Sequence, residues 1–381
     1  MAKKKCEVPV LLYGESYHDA NLYYVTRFLA GDRFAYLCAG AKEYVILAGF
    51  EKGRAEKESR VKNVVGLEDH GYLERLRETK SPETAFADAL GAFLSSVSVS
   101  KLEVPGDFPL RLAEDLRARG FEVRAAAELW IEAERHIKSR DEIENIRKAQ
   151  RVNEKAMATA VDMIRKADVR KGILYYEDEP LTSEMLRREI EVVFTRNGYE
   201  ARGTIVAAGP RSADPHFAGQ GPVPAGQPVV IDIFPQGKED RYFSDMTRTV
   251  VKGKPSKEIR EMYDLTLQAQ KIALNAIQAG VTGKEINDLV CDFYERHGYG
   301  TTRTIAKTGF IHSVGHGVGL EIHENLRLGI SGTTPLKAGM VVTVEPGLYD
   351  PKVGGVRIED IVVVTKEGCE NLTRFSKELI V

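Results

Sequence analysis

Val229-Val-Ile-Asp232-Ile-Phe234 reads as a buried strand with an aspartate set inside it. The same anomaly returns twice further along the chain. Glu345 closes the run Val341-Val-Thr-Val-Glu345-Pro-Gly347, and Glu359 interrupts Val356-Arg-Ile-Glu359-Asp-Ile-Val-Val-Val364. Burying an ionised carboxylate without a partner costs several kcal/mol. For any one of these acids alone, a salt bridge or a solvated strand end is a sufficient account. Three together, with Asp245 a further turn beyond Asp232, point instead to bound cations.

A second stretch supplies an imidazole. Phe310-Ile-His312-Ser-Val-Gly-His316-Gly-Val-Gly-Leu-Glu-Ile-His323-Glu324 holds three of only 8 histidines in the chain. Gly315, Gly317 and Gly319 leave little bulk around His316, as close approach to a metal or substrate requires. Rival motifs fit poorly. Gly315-His-Gly317-Val-Gly319 is not the dinucleotide pattern, and His312-Ser-Val-Gly-His316 lacks the glutamate of a zincin helix. Asp232, Asp245, His316, Glu345 and Glu359 therefore form a hard, oxygen-rich ligand set. It suits two divalent ions, manganese or cobalt first and zinc as an alternative. Ions roughly 3.5 to 4 Å apart can share a bridging water and lower its pKa toward neutrality, which gives a nucleophile without a serine or cysteine.

Around these runs the chain divides. Residues 1–125 alternate short apolar runs with helical ones and show no evident chemistry, which predicts a small α/β domain. Its two histidines, His18 and His70, read as surface or structural. Residues 126–381 read as helix, helix, strands, then the same order again. Ser139-Arg-Asp-Glu142 and Thr282-Gly-Lys-Glu285 are capping boxes, and Pro255-Ser256 opens a further helix. Residues 174–180 read as a connecting loop, and 204–208, 228–234, 244–251, 340–344 and 355–364 as extended runs. An internal duplication would explain the order.

The totals exclude more than they assign. The 381 residues favour two domains, and 54 Lys+Arg against 56 Asp+Glu give nothing that invites nucleic acid or an anionic membrane. The basic head before Cys6 is followed by too short an apolar run for a secretory signal, and no stretch is long enough to span a membrane. Cys6, Cys38, Cys291 and Cys369 lie far apart with no CxxC pair, so neither a zinc ribbon nor a disulfide scaffold is expected, and a reducing cytoplasm fits best.

The ligand order and its local motifs resemble the pita-bread metallopeptidases, the family of prolidase, aminopeptidase P and methionine aminopeptidase. The resemblance rests on Asp232, on Asp245 in Ser-Asp-Met-Thr-Arg-Thr249, on His316 in Gly-His-Gly-Val-Gly, on Glu345 in Val-Glu-Pro-Gly-Leu-Tyr349, and on Glu359 in Val-Arg-Ile-Glu-Asp360. It covers roughly residues 130–381. It implies an α+β chain whose C-terminal pita-bread (creatinase/aminopeptidase) fold follows a smaller α/β N-terminal domain of the creatinase/prolidase type. Methionine aminopeptidases lack that N-terminal domain.

The resemblance further implies that Asp232 and Glu359 bridge the metals, with Asp245 and His316 on opposite sides and Glu345 as ligand and proton shuttle. His216 would stand on the approach to the site, and His323 would polarise the substrate carbonyl. Arg357 would hold an acidic substrate group or a ligand carboxylate, and His312 would lie close behind the site. Arg327 matches a basic position of prolidases that could pair with a dipeptide's free carboxylate, a surface arginine being the bland alternative. The implied activity is a Xaa-Pro dipeptidase acting in a homodimer. The alternatives are aminopeptidase P, which takes longer peptides with proline second, a non-catalytic peptide-binding module, and creatinase-like hydrolysis. Two features depart from the family: the Asp232 to Asp245 gap is longer than usual, and Phe234 and Pro235 replace the small residues common there.

Overall fold

The computed structural model describes residues 6–381; the basic head at residues 1–5 lies outside them. By internal contacts the chain forms two compact units that meet between Arg135 and His136. This differs from the division at 125/126 expected above, because Leu129 and Ile131 are buried in the first unit's core.

The first unit is a six-stranded sheet in the order Asn63–Gly66, Lys42–Leu47, Phe34–Gly40, Cys6–Gly14, Lys101–Val104, Glu122–Ala125. Its strands alternate between two cores, as a period of two demands. Leu11, Ala35, Leu37 and Ile46 pack with the Pro82–Ser96 helix on one face, and Leu12, Phe34, Tyr36 and Val45 pack with Leu22 and Val25 on the other. Ser81 caps the Pro82–Ser96 helix by accepting from the Thr84 amide, and Pro82 fills its first turn.

One expectation fails in this unit. Cys6 and Cys38 form a disulfide between adjacent antiparallel strands. Their separation of 32 residues hid this, because strand pairing and not sequence spacing brings the two together. The argument from cysteines to a reducing compartment therefore falls. Among the described residues no helix is long and apolar enough to cross a membrane.

The second unit repeats itself. The helix Arg140–Lys166, started by the Ser139/Glu142 capping box, and the helix Ser183–Arg196 cover the antiparallel sheet Ile205–Ala208, Val229–Ile233, Met246–Val250. The helices Lys257–Ala276 and Gly283–Arg296 cover a second sheet in the order Glu324–Leu328, Gly315–Gly317, Val341–Val344, Asp360–Val364, Cys369–Asn371. Each long helix sends a fully buried amide to strand carbonyls beside the acids. Asn153 Nδ2 donates to the Ile233 carbonyl at 2.8 Å, and Gln270 Nε2 donates to those of Val344 and Ile358 at 3.0 and 3.1 Å.

Two local expectations change. The 174–180 loop is a small hairpin, Ile173–Tyr176 against Glu179–Pro180, turned by Glu177 and Asp178 at φ 50° and 65°. Two positive φ values are what a two-residue hairpin turn needs, and the charged Glu177-Asp178 pair masked it. The extended run 355–364 is broken at Ile358-Glu359. Gly354–Arg357 pairs with Gly347–Asp350, while Asp360–Val364 pairs with Val341–Val344. At the break the Glu359 amide donates to the Thr247 carbonyl and the Arg357 amide to Thr249 Oγ1, so the chain crosses onto the first sheet there.

Candidate metal centre

Strand alternation places the first two acids. Asp232 lies in register between Ile205 and Thr247, so the three side chains leave one face of the first sheet in a row. Asp245, two residues before Thr247, joins the same face. From the second sheet come His316 on its short strand, Glu345 just past Val341–Val344, and Glu359 at the break described above. All five line one cavity of about 500 Å³, together with His216, His312, His323, Arg327 and Arg357. No sequence-predicted site residue lies outside it.

Asp245, His316 and Glu359 each offer a ligand atom, and these atoms lie within 4.8 Å of one another. His316 Nε2 is 3.2 Å from Glu345 Oε1 and 3.7 Å from Asp245 Oδ2. Its Nδ1 donates to the Gly317 carbonyl at 3.2 Å, which fixes the ring so that Nε2 faces the acids. Thr247 Oγ1 donates to Glu359 Oε2 at 2.7 Å, and Thr343 Oγ1 donates to Glu345 Oε1 at 3.2 Å. Glycine is required near the ring: a Cβ at Gly315 would fall 2.1 Å from the Thr343 carbonyl oxygen.

The charges do not balance within the chain. Four carboxylates share the cavity with two guanidinium groups, of which Arg357 donates to Asp232. Burial, and then the charges of Glu359, Asp232 and Glu345, push the Asp245 carboxyl well above the usual range. Burial, then Glu345 and Asp232, do the same to Glu359. Burial also opposes ionisation of Glu345, but His316, His312 and Arg357 outweigh it and bring its pKa down to about 2. Asp232 Oδ1 and Asp245 Oδ1 are buried with no hydrogen-bond partner. Orphaned acid oxygens beside a fixed imidazole are the donor set that divalent cations fill, so these residues fit such ions.

Arg357 is buried and fully engaged. It donates from Nη2 to Asp232 Oδ2 at 2.6 Å, from Nη1 to the Tyr349 hydroxyl at 2.7 Å, and from Nε to Thr247 Oγ1 at 3.2 Å. Of the two uses expected for it, this geometry serves the ligand carboxylate. His312 Nδ1 donates to the Ser313 carbonyl, so Nε2 accepts the Tyr349 hydroxyl at 2.8 Å. Burial lowers the His312 pKa and raises that of Tyr349 to about 12. Tyr349, Thr247 and Thr343 were not singled out from the sequence. The signal was their two-residue spacing from Asp245, from Glu345 and, for Tyr349, its place in the Glu345 motif.

His323 and Arg327 are exposed on one face of the strand that begins at Glu324, and Arg327 is the register partner of His316. The rings of His316 and His323 stand 4.3 Å apart, edge to face. Desolvation and then His316 lower the His323 pKa to about 4. His216 is exposed at the cavity rim, its amide held by Asp214 Oδ1 at 3.1 Å. The long Asp232 to Asp245 connection forms a closed turn: the Ser244 amide donates to the Pro235 carbonyl, and buried Arg241 donates to Gln236 Oε1 at 2.8 Å.

Comparison with known proteins agrees with this geometry. A Xaa-Pro dipeptidase of Pyrococcus furiosus is 40% identical over 249 residues, an alignment spanning 65% of this chain and 65% of that relative. A Xaa-Pro dipeptidase structure from Bacillus anthracis superposes with a TM-score of 0.82 at 29% identity, covering 98% of this chain and 95% of that one. An X-Pro aminopeptidase from Thermotoga maritima gives 0.80 at 27% identity, covering 98% and 97%. The architecture is thus the expected α+β pita-bread fold behind a smaller N-terminal unit. Residues 144–366 match the model of metallopeptidase family M24, whose members use divalent metal ions, and the chain belongs to that family.

Proposed function

We propose that this protein is a dinuclear metal exopeptidase that hydrolyses the bond between an N-terminal residue and proline, and that dipeptides are its preferred substrates. The observation that carries the reading is the pairing of the acid-rich cavity with an exposed Arg327 on the His323 face of its rim. The names of the relatives above support the substrate class. In this reading Asp232, Asp245, His316, Glu345 and Glu359 hold two divalent ions, manganese or cobalt, with zinc admissible. The bound ions supply Lewis acidity and a water acidic enough to act as nucleophile at neutral pH.

The chain's own groups bind, orient and move protons. The guanidinium of Arg327 takes the proline carboxylate. His323, kept neutral by its low pKa, offers one N–H to the scissile carbonyl oxygen. Thr343 Oγ1 donates to Glu345 Oε1 and orients the carboxylate, which takes the nucleophile's proton and passes it to the departing proline nitrogen. Arg357 orients Asp232 through the bond from its Nη2, and His216 stands where substrate enters. The 136–381 unit is then the catalytic domain.

The likeness to the Thermotoga aminopeptidase favours a second reading, in which longer peptides with proline second are cut. Comparing Ala-Pro with Ala-Pro-Ala in manganese decides between them. The dipeptide is expected to win, and Arg327→Ala is expected to raise its KM about tenfold or more while sparing the tripeptide. Equal or better turnover of the tripeptide by the parent enzyme would overturn the dipeptide assignment. Failure to take up metal would overturn the hydrolase altogether.

A further inference from the structure

Phe234 and Ile205 line the cavity but take no part in the chemistry above. Ile205 is the register partner of Asp232, and Phe234 follows Asp232 by two residues. The alternation of an extended chain sends Asp232 and Phe234 to the same side, about 6.6 Å apart along it. The ring of Phe234 has a backbone neighbour. It lies against Gly203, where a Cβ would stand 3.2 Å from its Cζ, and Gly203 has φ +84°. Pro235, the next residue, accepts from the Ser244 amide and closes the turn that follows.

Adjacency orders the cavity. Arg327 pairs with His316, whose Nε2 faces Asp245; Asp245 shares a face with Thr247, which pairs with Asp232, which pairs with Ile205. The row therefore runs from a cationic end, across the acids, to an apolar end. A dipeptide with its carboxylate on Arg327 and its scissile bond over the acids presents its first side chain to Ile205 and Phe234.

We infer that Phe234, with Ile205 beside it, walls the subsite for the side chain of the N-terminal substrate residue and limits it to aliphatic groups of short to middle length. This rests on the Xaa-Pro reading. Charged side chains find no partner at that wall, and an indole meets the phenyl ring.

The test is kcat/KM for Ala-Pro, Leu-Pro, Trp-Pro, Asp-Pro and Lys-Pro with the metal-loaded parent, Phe234→Ala and Phe234→Leu. Binding of reduced-bond Leu-Pro and Trp-Pro analogues is measured alongside by calorimetry. The parent is expected to turn over Leu-Pro on the order of a hundredfold better than Asp-Pro or Lys-Pro. Phe234→Ala is expected to raise the Trp-Pro to Leu-Pro ratio about tenfold or more, in turnover and in binding, with Phe234→Leu between. Should Phe234→Ala fail to fold, Phe234→Leu decides. Ratios unchanged in a folded variant that still cuts Ala-Pro, or a parent indifferent to charge, would overturn the subsite while leaving the Xaa-Pro reading intact. A parent that cuts none of the five and binds neither analogue removes both.

Discussion

Glu359 and Asp360 are neighbours in sequence and are 2% and 0% exposed, yet their surroundings are opposite. Asp360 has its countercharges built in: Arg248 Nη2 at 2.9 Å, Lys377 Nζ at 2.5 Å, and Asn371 Nδ2 donating at 2.7 Å. Burial opposes its ionisation, but Arg248 and Lys377 outweigh that and hold its carboxyl below the usual range. Glu359 has one hydroxyl donor and three acidic neighbours, and its pKa rises. A buried acid whose cations come from the chain serves the fold; one whose neighbours are other acids needs a cation from outside.

Four experiments can break or sharpen that contrast. Glu359→Gln is expected to lower kcat/KM for a Xaa-Pro substrate by about a thousandfold or more, the loss of several kcal/mol of metal-assisted stabilisation. In chelator the same variant is expected to melt higher than the parent, since the amide is neutral already whereas Glu359 must bind a proton on folding at neutral pH. A lower melting point there would mean that Glu359, too, is a structural acid. Asp360→Asn is expected to cost about 3 to 5 kcal/mol in urea unfolding, with or without metal, because it strands buried Arg248. A loss confined to the metal-loaded form would contradict its assignment to the fold.

The two acids also predict opposite pH behaviour in metal-free protein. Asp245 and Glu359 have raised pKa values, so their contribution to stability is full below about pH 4, the unfolded range, and is lost as pH rises through the folded values. Asp360 has a lowered pKa, so its contribution is present above about pH 4 and is lost as pH falls through the folded value. Metal must displace the protons held by Asp245 and Glu359. The stabilisation on adding manganese, followed as the rise in Tm, should therefore grow between pH 5 and 7.5, by up to about 1.4 kcal/mol per pH unit for each proton displaced. A rise that stays flat would show these acids already ionised. The smallest effect is expected from Thr247→Val, which removes the hydroxyl donor to Glu359: about 1 kcal/mol, or roughly fivefold in kcat/KM.

What could be read from the chain follows the same contrast. An acid inside an apolar strand is conspicuous, so Asp232, Glu345 and Glu359 stood out, and the capping boxes at Ser139 and Thr282 marked helix starts that the structure shows. The difference between Glu359 and Asp360 was not legible, because Arg248 and Lys377 reach Asp360 from 112 and 17 positions away and only the fold selects them. Tyr349 and Thr247 escaped notice because a hydroxyl in a strand is ordinary. The break at Ile358 was invisible because its apolar side chain continues the pattern on either side. The Cys6–Cys38 bridge depended on which strands pair, a long-range fact that spacing does not carry.

The acids and the imidazole come from both repeats of the second unit, Asp232 and Asp245 from one and His316, Glu345 and Glu359 from the other, with Asn153 and Gln270 steadying the strands on each side. A cation held by this set is a clasp across the seam between two like halves. By mass action, whatever binds only the closed seam draws the halves together, and whatever loosens the seam lets the ion go before either half unfolds. Metal occupancy would then gauge the register of the repeats, and neither half cut from the chain would keep the affinity of the whole.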